Sequence, residues 1–123
     1  MRHDTAFQMA SSNIRFGSGT TAEVGMDLVD MGLRRAMLVI DPALLSLPTG
    51  MTVLASLDDN GIDYEVFDRV RVEPTDASFQ DAAKNASAGT FDAFVAVGGG
   101  STIDTAKAAN LYSSHPADFL DYV

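Results

Sequence analysis

Three consecutive glycines followed by a serine, Gly98-Gly99-Gly100-Ser101, are the residues of this sequence best suited to hold a ligand. They follow the apolar run 91–97, which is typical of a buried strand, and they precede a segment with the composition of a helix. Because glycines lack side chains, backbone N–H groups can approach an anion closely, and a helix N-terminus adds unpaired donors. The pattern indicates a phosphate or diphosphate site. A tight strand-to-helix turn without a ligand is the alternative.

Two aspartates could contribute to such a site. Asp41 follows the apolar run 36–40, at a strand end where an acid can accept hydrogen bonds from ribose hydroxyls. It precedes Gly98 by 57 positions, whereas in the dinucleotide-binding fingerprint the acid follows the glycines, and it also fits an Asp-Pro turn. Asp104 lies three residues after Ser101, where its carboxylate can cap the start of the helix or lie near a ligand.

Composition excludes several other kinds of chemistry. The chain has 123 residues, no cysteine and two histidines, which excludes thiol nucleophiles, disulfides and a histidine-rich metal site. No Ser-His-Asp set and no glycosidase-like carboxylate pair is recognisable, so we assign no catalytic residue and no metal ligand. The net charge of −9 disfavours nucleic acid and membrane surfaces as partners. No apolar run approaches the roughly 20 residues that would span a bilayer.

The elements that must position these residues alternate between helix and strand. Predicted helices cover residues 18–31, 50–60, 74–88 and 102–112, and predicted strands cover residues 36–40, 64–67 and 91–97. This alternation predicts one domain of class α/β, an open, mostly parallel Rossmann-like sheet with helices on both faces. Ligands of such sheets bind beyond the carboxyl ends of the strands, which is where Asp41, residues 73–75 and the glycine run fall.

Capping signals mark the predicted helix starts. Thr20 is followed three residues later by Glu23, which fits a capping box, and Ser101 and Asp104 have the same spacing. The run 74–76, Pro-Thr-Asp, is a third typical helix start. The last two starts lie at strand ends, so they place helix N-termini beside the expected ligand.

The stretch 98–110, GGGSTIDTAKAAN, resembles the GGGSxxDxxK signature of the iron-containing (group III) alcohol dehydrogenases. Further stretches resemble the hydroxyacid-oxoacid transhydrogenase branch of that family, and together they cover most of the chain: residues 7–28, 70–79, 91–114 and 118–123. The resemblance implies that residues 1–123 are an N-terminal NAD(P)-binding domain. It also implies a second, helical domain, absent from this chain, that supplies an Asp and three His to a divalent metal, iron or zinc.

The resemblance implies seven cofactor-binding residues: Asp41, Thr75, Gly98, Gly99, Gly100, Ser101 and Asp104. The glycines and the serine would hold the diphosphate of NAD(H), and Asp104 matches the signature aspartate near the cofactor. Asp41 would bond the adenosine ribose and favour NAD over NADP by repelling a 2′-phosphate, since in this family the acid does precede the glycines. Thr75 would lie in the loop that lines the adenosine and nicotinamide side.

The resemblance further implies a metal-dependent oxidoreductase in which hydride passes from 4-hydroxybutyrate through bound NAD to 2-oxoglutarate, giving succinate semialdehyde and 2-hydroxyglutarate. Small hydroxyacids and oxoacids are the implied partners, and the full-length parent could form a homo-oligomer. We expect the isolated chain to be inactive, because the metal ligands lie outside it. The alternatives are an NAD-dependent alcohol dehydrogenase and a nucleotide-binding module without activity. We expect a cytoplasmic location, with a mitochondrial one as the alternative, as in related animal enzymes.

Overall fold

The computed structural model describes residues 17–71 and 75–114. In chain order its elements are a 3-10 helix at Thr20–Glu23, α1 (Val24–Asp30), β1 (Arg35–Ile40), a 3-10 helix at Pro42–Leu44, α2 (Pro48–Asp59), β2 (Asp63–Phe67), α3 (Asp76–Gly89), β3 (Ala93–Val97) and α4 (Gly100–Ser114). Each predicted helix and strand is present, with its ends shifted by no more than about two residues. None of these helices is both long enough and apolar enough to cross a membrane.

The three strands form one parallel sheet in the order β2-β1-β3. Leu38, at the centre of β1, lies opposite Val66 of β2 and Val95 of β3. Every residue of β1 from Ala36 to Ile40 is buried, because this central strand has a neighbour on each edge and helices on each face. The predicted open α/β architecture is therefore confirmed.

Successive side chains of β1 point into two separate cores, one on each face of the sheet. On one face Leu38 and Ile40 pack with residues of α1 and α2, namely Leu28, Val53 and Leu57. On the other face Met37 and Val39 pack with the alanines of α3 and α4, namely Ala82, Ala86, Ala106 and Ala109. Small alanine side chains let α3 and α4 lie close to the sheet and to each other, so the helix N-termini are held firmly at its carboxyl edge.

The start of the first helix differs from the prediction. Gly19, with a φ of 81°, precedes the 3-10 turn, and no side chain caps it. The Thr20 hydroxyl instead donates a hydrogen bond to the Gly17 carbonyl at 2.9 Å. The capping box predicted for Thr20 and Glu23 is therefore wrong, because Thr20 is already inside the tight first turn rather than ahead of it.

Charged side chains hold the amino edge of the sheet together. The Arg35 guanidinium contacts Asp63 at 2.5 Å and Glu65 at 3.1 Å, and its Nε donates to the Gly89 carbonyl. The Asp92 carboxylate accepts hydrogen bonds from the backbone N–H groups of residues 34 and 35, which lowers the pKa of that carboxyl. These contacts lie at the opposite end of the strands from Asp41 and the glycine run.

Candidate functional site

The carboxyl ends of β1 and β3 form the point of the sheet where a crevice can open. These two strands are neighbours, yet the chain leaves β1 toward α2 on one face and leaves β3 toward α4 on the other. The Asp41 N–H donates a hydrogen bond to the Val97 carbonyl at 3.1 Å, so the two strand ends remain joined as their loops diverge. Open α/β sheets bind ligands at such a topological switch point.

A cleft of about 300 Å³ occupies this point. It is lined by Asp41, Pro42, Val70, Gly99, Gly100, Ser101 and Thr102. Asp41 thus lines the same cleft as three of the four residues of the glycine run, although 57 positions separate it from Gly98 in the sequence. Pro42, Val70 and Thr102 are lining residues that sequence reasoning missed. The positions of Pro42 next to Asp41 and of Thr102 next to Ser101 could have indicated these two residues.

The structure requires glycine at Gly98 but leaves open space at Gly99 and Gly100. Gly98 has a φ of 153°, and a Cβ there would lie 2.8 Å from the Thr102 Cβ, so the fold itself requires glycine. Gly99 and Gly100 have no positive φ, and a Cβ on either would meet nothing within 4 Å. Nothing in the described fold excludes a side chain at these two positions, so the open space in front of them is available to a ligand.

Helix α4 begins inside this cleft. It starts at Gly100, two residues before the predicted start, and the Ile103 N–H donates to the Gly99 carbonyl at 3.1 Å. Ser101 therefore lies within the first turn and not at the predicted capping position. N–H groups of the first turn have no carbonyl partner within a helix, and they carry the positive end of its dipole. An anion in the cleft would meet these donors.

Asp41 is fixed by a hydrogen bond of its own. Its Oδ1 accepts from the Ala43 N–H at 3.0 Å and so caps the 3-10 helix Pro42–Leu44. The Asp-Pro turn that the sequence offered as an alternative is therefore present, and it coexists with a place in the cleft. This hydrogen bond holds the Asp41 carboxylate in one orientation, and its Oδ2 can accept a hydrogen bond from a hydroxyl.

Thr75 lies outside this cleft. Its Oγ1 accepts from the Ser78 N–H at 3.1 Å, and the Ser78 hydroxyl oxygen accepts from the Thr75 N–H at 2.9 Å, which makes a capping box at the start of α3. Thr75 lines a second cleft of about 440 Å³, together with Arg69, Val70, Arg71, Ala77, Ser78 and Asp81. Because Val70 lines both clefts, the two adjoin. The cofactor contact expected of Thr75 stays a prediction.

Asp104 is exposed on the second turn of α4, and neither cleft includes it. The described residues do not bring it together with Asp41, so its expected place near the cofactor also stays a prediction. In the ranges 17–71 and 75–114, no three His, Asp or Glu side chains lie close enough together to hold a metal ion.

Comparison with known proteins gives consistent results. The family model for iron-containing alcohol dehydrogenases matches residues 11–123. A mitochondrial hydroxyacid-oxoacid transhydrogenase from Bos taurus is 61% identical over 121 residues, which are 98% of this chain and 26% of the relative. The corresponding human protein is 58% identical over the same length.

Among solved structures, the NADH-dependent butanol dehydrogenase A of Thermotoga maritima has a TM-score of 0.87 at 25% identity, over 94% of this chain and 30% of that one. This chain thus spans about a quarter of the length of the curated relatives it matches. Because the family model matches nearly the whole of it, the chain belongs to the iron-containing alcohol dehydrogenase family.

Proposed function

We propose that this chain is the NAD-binding part of an oxidoreductase, with residues 1–123 as its N-terminal cofactor domain. The glycine run would hold the cofactor diphosphate, and Asp41 would accept hydrogen bonds from the adenosine ribose. One observation carries the proposal: Asp41 and three residues of the glycine run, Gly99 to Ser101, line one cleft at the switch point of the sheet, with open space in front of Gly99 and Gly100.

The charges of the cleft support a nicotinamide dinucleotide without a 2′-phosphate. None of the described residues that line the cleft is a Lys or Arg, so the diphosphate would be held by the backbone donors at the start of α4. Asp41 is the acidic residue among the described residues of this lining, and its negative charge would repel a phosphate on the ribose. We therefore propose NAD(H) as the cofactor.

For the whole protein we propose hydride exchange between a hydroxyacid and an oxoacid. Hydride passes from 4-hydroxybutyrate to NAD⁺ with loss of a proton, which leaves succinate semialdehyde. The same hydride then passes from NADH to 2-oxoglutarate, and uptake of a proton gives 2-hydroxyglutarate. The role of this chain is to bind and orient the cofactor. A divalent metal, iron or zinc, is the Lewis acid that the family resemblance implies for the substrate oxygen, and we place its ligands outside the described residues.

The second candidate function is that of an alcohol dehydrogenase that releases NADH in each cycle. The similarity to the butanol dehydrogenase of Thermotoga maritima favours it. The two candidates share the cofactor cleft and differ in whether an oxoacid is needed as hydride acceptor. The high identity to the transhydrogenases over 98% of this chain leads us to prefer the first.

The location, the substrates and the oligomeric state of the whole protein are also proposals. The name of the Bos taurus relative places that protein in mitochondria, so the mitochondrial alternative gains support over a cytoplasmic location. The substrates would be small acids that carry one or two carboxylates. A homo-oligomer remains a prediction.

Titration of the 123-residue chain with NAD⁺ in a calorimeter tests the proposed function. We expect saturable binding of one NAD⁺ per chain and weaker binding of NADP⁺, because the cleft is built from this chain's own residues. An absence of saturable NAD⁺ binding by a chain whose circular dichroism shows the α/β fold would contradict the proposal.

The variant Asp41→Asn is expected to raise the affinity for NADP⁺ by about tenfold, since it removes one negative charge next to the ribose. Asparagine retains the oxygen that accepts from the Ala43 N–H, so the 3-10 helix keeps its cap. The NADP⁺ dissociation constant is measured for this variant and for Asp59→Asn, which removes an equal charge at the exposed end of α2. Equal NADP⁺ affinity in the two variants would remove Asp41 from the site.

A further inference from the structure

The cleft between Asp41 and the glycine run accounts for only the adenosine half of the proposed cofactor. With the ribose at Asp41 and the diphosphate at Gly99, the cofactor crosses from the carboxyl end of β1 to that of β3. A dinucleotide lies across the carboxyl ends of neighbouring strands in such sheets, and β2 lies on the adenosine side of β1. The nicotinamide is therefore expected on the other side of β3, away from β1.

A third cleft, of about 350 Å³, lies on that side of β3. Four consecutive residues of its lining, Val95 to Gly98, belong to β3 and its carboxyl end. Because successive side chains of a strand point to opposite faces, four consecutive residues line one cleft only along an exposed edge of the strand. Within the described ranges β3 pairs with β1 alone, so the exposed edge is the one away from β1.

The third cleft adjoins the glycine run. Gly98 lines it, and the next residue, Gly99, lines the cleft that contains Asp41. The two clefts thus lie on the two sides of the carboxyl end of β3. A diphosphate at Gly99 would have the adenosine cleft on one side and the third cleft on the other.

The base of the third cleft is apolar. Val24 of α1, Val53 of α2, and Val95 and Val97 of β3 line it, and Val53 and Val97 are buried. Branched aliphatic side chains from three elements can pack against the face of a flat ring. A phosphate or a carboxylate would find no cation here among the described lining residues, so a neutral or cationic ring suits this base better than an anion does.

Threonine hydroxyls lie at the mouth of the third cleft. Thr21 and Thr49 are exposed, and in the described part of the chain neither hydroxyl has a hydrogen-bond partner. Thr20 and Asp27 also line the cleft, and the Thr20 hydroxyl already donates to the Gly17 carbonyl. A hydroxyl can both donate and accept, which matches a carboxamide, whose oxygen accepts and whose NH₂ group donates.

We propose that the third cleft binds the nicotinamide ring of NAD(H), with the ring against the valines and its carboxamide hydrogen-bonded to Thr21 and Thr49. The volume of about 350 Å³ falls in the usual range of small-molecule sites, roughly 300 to 1,000 Å³. A ring with one face on the valines turns its other face to the mouth of the cleft, where a substrate can exchange hydride with it. This inference rests on the proposed function and deepens it.

ADP-ribose separates the two clefts, because it has the adenosine, the diphosphate and the second ribose of NAD⁺ but lacks the nicotinamide. The ¹⁵N-labelled chain is titrated with each ligand and followed by NMR. We expect both ligands to shift the amide signals of Gly99 and Gly100 saturably. Only NAD⁺ is expected to shift those of Thr21, Thr49 and Ala96.

The variants Thr21→Val and Thr49→Val each remove one hydroxyl and keep the size of the side chain. Each should raise the NAD⁺ dissociation constant about fivefold, the value of one neutral hydrogen bond, and change that of ADP-ribose less than about twofold. The matched control is Thr52→Val, which makes the same change in the same helix as Thr49, at a half-buried position outside the three clefts. It should leave both dissociation constants unchanged.

The outcomes distinguish the inference from the proposed function. If ADP-ribose binds but NAD⁺ shifts no further signals, the inference is overturned while the proposed function stands. The same holds if Thr21→Val and Thr49→Val bind NAD⁺ as tightly as Thr52→Val does. If neither ligand binds the wild-type chain, the proposed function and the inference fail together.

Discussion

Replacing Gly99 with valine is expected to weaken NAD⁺ binding by at least about tenfold while changing the stability of the chain by less than about 1 kcal/mol. A Cβ at Gly99 would meet no protein atom within 4 Å, so the branched side chain would project into the cleft. The diphosphate must approach the backbone N–H groups there to about 3 Å, and the valine methyl groups would occupy that space. Binding is therefore affected far more than folding.

Isothermal titration calorimetry gives the NAD⁺ dissociation constant, and urea denaturation gives the free energy of unfolding. The matched control is Ala55→Val, which places the same side chain on an exposed position of α2 and should leave NAD⁺ binding unchanged. In Gly98→Val we expect the free energy of unfolding to fall, because its Cβ would lie 2.8 Å from the Thr102 Cβ. NAD⁺ affinity in Gly99→Val equal to that of Ala55→Val would remove the diphosphate from the glycine run.

This contrast shows what could not be predicted from the sequence. Gly98, Gly99 and Gly100 are the same residue type in one run, and their different roles follow from a backbone angle and a contact with Thr102. The apolar runs of β1 and β3 did predict buried parallel strands, because burial on both faces removes the alternation of polar and apolar residues. The order β2-β1-β3 could not be predicted from them, since apolar composition does not specify which strands are neighbours.

The candidate site illustrates the same limit. The sequence predicts that Asp41 and the glycine run each lie at a strand end. That they line one cleft depends on the pairing of β1 with β3 across 57 positions of sequence. The resemblance implies a cofactor contact for Thr75, which stays a prediction, and in the structure its side chain caps α3. Ser78, three residues later, was the available signal, but serine is not the Glu or Gln of the usual capping box.

A second large effect is expected from Gly25→Ala, which should destabilise the chain by about 2 to 3 kcal/mol. Gly25 is buried where α1 crosses α2, and a Cβ there would lie 2.8 Å from both the carbonyl carbon of Ser56 and the Nδ2 of Asn60. The Ser56 hydroxyl also accepts from the Gly25 N–H at 2.9 Å and donates to the Ala22 carbonyl at 2.7 Å. Moving α1 outward to relieve the clash would stretch these two hydrogen bonds.

Helix propensity alone predicts that Gly25→Ala would stabilise the chain, since alanine favours a helix over glycine by about 0.5 to 1 kcal/mol. The steric term is larger because the Cβ would overlap backbone atoms of α2, which cannot rotate away as a side chain can. Gly100→Ala is the matched control: it makes the same change in α4, where the Cβ meets nothing within 4 Å, so propensity alone should act and stability should not fall. Urea denaturation of both variants separates the two terms. A Gly25→Ala chain as stable as Gly100→Ala would show that α1 and α2 do not approach this closely.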